Sequence, residues 1–207
     1  MTKLIDISRT LHSKTPTWPG DTPYQFKLNW TKEETGSVNV GSVTMSVHTA
    51  THVDSPFHFD STGKKVSEMD LSSFIGPAYV IEVPNLQKIH LDDVKDKLAL
   101  HEKKRILFKT NAWLEDDIFP TSIPTLHEDV VTFLHQLNVP LIGLDLPSVD
   151  ELDSKELPIH NELHKCNIMI LEGLDLSSVE EGEYELISLP LKLDAADGSP
   201  VRAILKG

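Results

Sequence analysis

The segment His48-Thr-Ala-Thr-His52-Val-Asp54-Ser-Pro56-Phe-His58 places three imidazoles and one carboxylate within eleven residues, all at even positions. Neutral imidazole nitrogen and carboxylate oxygen suit Zn²⁺, with Mn²⁺ or Fe²⁺ as second choices. The single Cys166 is too far away in sequence to suggest a structural thiolate site. A metal held by such a set could acidify a water and polarise a carbonyl, which is the chemistry of hydrolysis. A lone histidine here would read as a solvated or hydrogen-bonded side chain on a polar edge strand. Three at one parity beside an aspartate point to a metal site.

Convergence on one point requires an extended chain, because side chains of a strand alternate between faces whereas a helix would splay Asp54 away from His48 and His52. Pro56 also argues against a helix there. Over residues 38–53 apolar Val43, Met45 and Val47 alternate with Thr44, Ser46 and His48, the period-two pattern of a half-buried strand whose even face carries the histidines. Upstream, residues 3–7 and 25–30 read as short strands around the turn-rich Thr15-Pro-Thr-Trp-Pro-Gly-Asp-Thr-Pro23, a defined loop. Downstream, residues 78–83, 105–109, 140–146 and 167–171 read as strands, and 91–100, 128–137 and 158–165 as helices. The tail over 184–205 gives two more strands around the turn Ala196-Asp-Gly-Ser-Pro200. Strands lead, helices alternate with strands in the middle, and strands return, which predicts an α/β fold with a mixed sheet.

The signature resembles the H-x-G-T-H-x-D-x-P-x-H motif of the cyclase-like metal-dependent hydrolases. The resemblance extends to the Trp-Pro-Gly-Asp loop at Trp18 to Asp21 and to Gly36-Ser-Val-Asn-Val-Gly41 with Met45-Ser46. It continues through Gly143-Leu-Asp-Leu-Pro-Ser-Val-Asp150 to Ala196-Asp-Gly-Ser-Pro-Val-Arg202, so it covers essentially the whole chain. It implies a barrel-like mixed sheet with flanking helices, of the swivelling β/β/α type. It further implies two Zn²⁺ per subunit, with Mn²⁺ an alternative: the first held by His48, His52 and Asp54, the second by Asp54 as a bridge with His160 and Glu172. By the same resemblance His58 is the proton donor and acceptor, Trp18 contacts the substrate, and the chain forms a homodimer. The implied reaction is hydrolysis of N-formyl-L-kynurenine to L-kynurenine and formate in tryptophan catabolism. One departure is visible: Ala50 stands where the motif has glycine, tolerable at negative φ and awkward at positive φ. Two other readings stay open: a related amide hydrolase of the isatin-hydrolase type using Mn²⁺, and a non-catalytic metal-binding protein.

His160 and Glu172 also make sense physically, since one opens a predicted helix and the other ends an apolar run, and sites form at strand ends in α/β sheets. His164 reads as a surface helix residue, and His12, His90, His101, His127 and His135 as solvated. Trp18 could plug the proline-rich loop from beneath, yet a tryptophan held rigid between prolines suits a stacking platform. Cys166 lies two residues from His164, a spacing that does not face the two together on a helix, and reads as a buried small hydrophobe. No G-x-S-x-G elbow occurs, which removes the serine-nucleophile route.

With 207 residues, 39% of them hydrophobic, and no repeat or linker, the chain is expected to fold as one domain over 1–207. Nineteen Lys and Arg against 32 Asp and Glu give a net charge of −13. That balance disfavours nucleic acid and anionic membrane surfaces, and the longest basic cluster is only Lys103-Lys104-Arg105. The N-terminal stretch has no long apolar region and no run approaches membrane-spanning length, so a cytoplasmic, reducing location is expected and the partner is a small molecule.

Overall fold

Short apolar runs separated by turns give an element order dominated by brief strands. The structure, a computed structural model, describes residues 3–207; Met1 and Thr2, the start of the N-terminal stretch discussed above, lie outside the described residues. The elements are β1 (Leu4–Asp6), β2 (Gln25–Trp30), α1 (Lys32–Thr35), β3 (Val40–Thr44), β4 (His52–Asp54), β5 (Ile75–Glu82), β6 (Lys88–Ile89), α2 (Leu91–Leu98), β7 (Arg105–Lys109), β8 (Thr125–Leu126), α3 (Glu128–Gln136), β9 (Leu141–Leu144), α4 (Pro158–Lys165), β10 (Met169–Glu172), β11 (Gly182–Ile187), β12 (Gly198–Pro200) and β13 (Ile204–Lys206).

Nine strands form one mixed sheet in the order β1-β13-β11-β5-β7-β9-β10-β4-β12. Its centre, β5 through β10, is parallel, each step crossing over through α2, α3 or α4, while the flanking strands pair antiparallel. Alternation sorts the core. Tyr79, Ile81, Ile106, Phe108, Ile142, Leu144 and Ile170 pack with apolar residues of the three helices, including Val94, Val130, Leu134 and Leu163. The intervening Ala78, Val80, Leu107, Leu141 and Leu171 form a second core with Ile7, Val53, Phe74, Leu186 and Leu205. Ile7 and Leu205 come from one side of the sheet and Val53 from the other, so the sheet curls until residues of both sides meet. A bridge between Ser8 and Leu174 ties the curl. The predicted α/β mixed sheet with flanking helices is what forms.

Three local expectations are corrected. The strand expected over 38–53 is broken: β3 ends at Thr44, the chain turns through His48, and β4 starts only at His52. Ala50 sits at φ 58, in the left-handed region that no regular strand admits. Pro56 does not exclude helical backbone, because Pro56–His58 is a single 3₁₀ turn with proline at its first position, where a missing N–H costs nothing. The tail yields three strands rather than two. Gly198–Pro200, inside the expected turn, pairs with β4 and covers its outer edge.

Outside the main sheet, β2 and β3 pair as a separate two-stranded hairpin, and β6 and β8 as a short parallel pair. The hairpin leaves Phe26, Leu28, Trp30 and Val43 exposed, with Phe26 and Trp30 at 59% and 58% of their full accessibility. Among the described residues no helix is long and apolar enough to cross a membrane.

Candidate active site and metal centre

Strand register builds the centre of the site. His52 and Asp54, two residues apart on β4, share one face, while Val53 between them enters the core on the other. On β10 Glu172 lies directly opposite His52, and on β12 Gly198 lies opposite Asp54. A Cβ at Gly198 would come within 2.7 Å of the His48 ring, so glycine here makes room for that imidazole to reach Asp54 from the preceding turn. Helix α4 brings His160 to the same point.

Each imidazole is oriented by a partner on its far nitrogen. His52 Nδ1 bonds the Ala50 carbonyl at 2.9 Å, and the left-handed backbone at Ala50 is what turns that carbonyl inward. His160 Nδ1 bonds Asp150 at 2.7 Å, and the same carboxylate accepts the Ile159 and His160 backbone N–H groups at the start of α4. His48 Nε2 bonds Asp197 at 3.0 Å. The remaining nitrogens then face carboxylates. His48 Nδ1 and His52 Nε2 lie 2.9 and 3.4 Å from Asp54 Oδ1, and His160 Nε2 lies 3.5 Å from Asp54 Oδ2. Glu172 Oε2 is 3.4 Å from His52 and its Oε1 3.9 Å from His160. Fixing the outer ring nitrogen so that the inner one is free to ligate is how metal-binding histidines are held.

The donor set fits a cation. Asp54 is buried, and its Oδ2 has no hydrogen-bond partner. A buried carboxylate oxygen left unpaired is costly, so something positive belongs there. Separations near 3.4 Å between ligand atoms match the edge of a tetrahedron about an ion at about 2.0–2.1 Å. Burial opposes charge on His48, but its bonds to Asp197 and Asp54 outweigh burial and push its pKa up to about 9. For His52 and His160 the same contest, won by Asp54 with Glu172 and by Asp150 with Asp54, pushes the pKa up to about 10. Burial likewise opposes ionisation of Asp54, yet the three imidazoles hold its pKa well below the usual carboxylate range.

The structure brings together all five residues expected to hold metal and sets His58 and Trp18 beside them. His48, Asp54 and His58 offer ligand atoms within 4.8 Å of one another, as do His52, Asp54 and Glu172. The His58 ring lies 4.0 Å from that of His48 between centroids, and its Nδ1 is 3.5 Å from Asp197 Oδ2. Bonding to His48 holds the Asp197 carboxyl well below its ordinary value. Trp18, 39% exposed, packs edge-on to Phe119 with centroids 5.6 Å apart. Both line a cavity of about 300 Å³ whose floor includes His52, His160 and Glu172.

Sequence reading missed Asp150, Asp197 and Phe119. Asp150 and Asp197 fall inside stretches that carry the family resemblance, but nothing local marks either as a partner of a particular histidine. Two of the remaining histidines depart from expectation. His101 is buried and stacks on Tyr79 at 3.6 Å, and His127 accepts from the Asp129 N–H to cap α3. His164 is half-buried beside Phe59, and Cys166 is half-buried against the helix-side core.

A curled mixed sheet carrying a histidine–carboxylate cluster on β4, β10 and α4 defines a class, and the chain belongs to the Cyclase family, whose model matches residues 5–151. Within it the chain groups with the kynurenine formamidases. It is 52% identical to kynurenine formamidase of Geobacillus thermodenitrificans over 206 residues, covering 100% of this chain and 98% of that one. Among solved structures, one titled a "predicted metal-dependent hydrolase" from Bacillus stearothermophilus superimposes with a TM-score of 0.83 at 27% identity, covering 100% of this chain and 98% of that one. Isatin hydrolase A from Ralstonia solanacearum shares the fold, with a TM-score of 0.85 at 21% identity over 99% of this chain and 92% of that one.

Proposed function

We propose that the chain hydrolyses N-formyl-L-kynurenine to L-kynurenine and formate, as an arylformamidase of tryptophan catabolism. The observation that carries the mechanism is the buried cluster in which His48 and His52 face one oxygen of Asp54, His160 faces the other, unpartnered one, and Glu172 lies against His52 and His160. His48, His52 and Asp54 would hold a first Zn²⁺, and Asp54, His160 and Glu172 a second, with Mn²⁺ the alternative metal. The two oxygens of Asp54 support a bridging role, because Oδ1 faces His48 and His52 while Oδ2 faces His160. Metal bound there supplies Lewis acidity for activating water and polarising the formyl carbonyl.

The chain's own residues do the rest. Trp18 and Phe119 form an aromatic wall against which the aniline ring packs, setting the formamide over the floor. His58 takes the proton lost by the attacking water and returns it to the departing arylamine nitrogen. Asp197 accepts from His58 Nδ1, which leaves Nε2 for that exchange. Trp113 and Leu152 complete the apolar wall and exclude bulk water.

The protein acts in the cytoplasm as a homodimer, and the uncovered apolar face of the β2–β3 hairpin supports association with a second copy. Turnover by metal-reconstituted protein, followed separately with N-formylkynurenine, formanilide and isatin, tests the reading. Release of formate from N-formylkynurenine is expected; ring opening of isatin with no formate release would overturn it in favour of a cyclic-amide hydrolase.

A further inference from the structure

The cavity runs from a buried floor to exposed, charged lining residues. At the floor His52, His160 and Glu172 are buried, and the aromatic and aliphatic wall lies above them. Two exposed side chains of opposite sign also line the cavity, Lys155 and Asp21. Lys155 is the one lysine or arginine among the lining residues. Lys165 on nearby α4 is engaged by Glu162, but Lys155 is bonded to no carboxylate among the described residues. Asp21 follows Trp18 on the same loop. Its Oδ1 is held by the Thr22 N–H at 2.6 Å, which fixes the carboxylate while leaving Oδ2 open.

Resting on the function proposed above, we infer that Lys155 and Asp21 form a clamp for the zwitterionic tail of the substrate. Lys155 takes the α-carboxylate and Asp21 the α-ammonium. N-formylkynurenine carries its formamide and its amino-acid tail on neighbouring ring carbons. A ring packed against Trp18, with the formamide at the floor, therefore sends the tail back along the cavity wall toward its mouth. A tail bearing two charges is accommodated there because both partners are at the rim, where neither charge needs to be stripped of water. Neither residue touches the buried cluster in any bond of the structure, so their effect belongs to recognition. They distinguish an amino-acid arylformamide from a plain one.

The test measures kcat and KM of metal-loaded protein for three amides. These are N-formylkynurenine, its desamino analogue 4-(2-formamidophenyl)-4-oxobutanoate, and formanilide, which has no tail. Lys155→Met is expected to lower kcat/KM for both tailed substrates about two- to fivefold relative to formanilide, through KM. That is the scale of an ion pair that stays in contact with water. Asp21→Asn is expected to lower the ratio for N-formylkynurenine but not for the desamino analogue, and Lys155→Arg to restore most of the preference. Parallel changes for all three amides, or none, in a wild-type background that hydrolyses N-formylkynurenine would overturn the clamp alone. Wild-type protein that hydrolyses none of them would overturn the functional reading along with it.

Discussion

His58 stands beside the buried cluster without joining its hydrogen bonds to Asp54, and among the described residues its side chain bonds Asp197. Its loss should therefore separate chemistry from metal binding. His58→Ala is expected to keep its metal, measured by elemental analysis, while the rate falls by on the order of 10²–10⁴, the usual scale for general acid–base catalysis. Metal content that falls together with activity would instead make His58 a ligand, which its position beside His48 and Asp54 also allows. Asp150 acts at one remove. It accepts three hydrogen bonds, two from the start of α4 and one from the His160 ring. Asp150→Ala should weaken metal affinity about 10- to 100-fold in a chelator competition. It should also cost about 1–2 kcal/mol in denaturant melts, because a helix loses its N-terminal acceptor. Unchanged metal affinity with reduced stability would reduce Asp150 to a cap.

At the scale of the element, the turn before β4 is the costly piece. Ala50 at φ 58 pays about 1 kcal/mol relative to glycine, and the turn is held because Thr51 Oγ1 bonds the Gly173 carbonyl at 2.6 Å. Ala50→Gly is expected to raise stability by about 0.5–1 kcal/mol, read as a higher Tm. Gly173→Ala should do the opposite and strongly, since Gly173 has φ 65 and a Cβ there would lie 2.0 Å from the Ala50 carbonyl oxygen. The strands at the centre of the sheet were legible from composition and alternation because both their faces are buried, as Ile106, Leu107 and Phe108 show. The turn through His48 was not. The parity of residues 43–48 continues smoothly in the sequence, and only packing against Gly173 reveals that the backbone reverses hand at Ala50. Parity nevertheless pointed to the right partners, since His52 and Asp54 do share a face. Asp150 and Asp197 escaped because their roles depend on which histidine the tertiary fold places beside them.

For the whole molecule, the β2–β3 hairpin presents an exposed apolar face built of Phe26, Leu28, Trp30 and Val43. Phe26 lies over Gly41, where a Cβ would come 2.3 Å from its ring, and Trp30 and Val43 share its exposure. If this face pairs two copies, Phe26→Ser with Trp30→Ser should shift the sedimenting mass from two chains to one, while the far-UV spectrum is kept. A double variant that still sediments as two chains would place the dimer contact elsewhere.

The position of β4 between β10 and β12 has a consequence for the order in which a growing chain can become an enzyme. His52 and Asp54 emerge from the ribosome early, yet their strand has no partner until Met169–Glu172 arrives, and its outer edge stays bare until Gly198–Pro200 follows. The hairpin of β2 and β3 and the parallel strands from β5 to β10 can take shape as they are made, whereas pairings that span so much sequence close slowly. Nascent chains halted before residue 198 should therefore expose β4 and capture metal poorly. Metal capture is then expected to wait on both antiparallel pairings of β4 and to follow the parallel strands made before them.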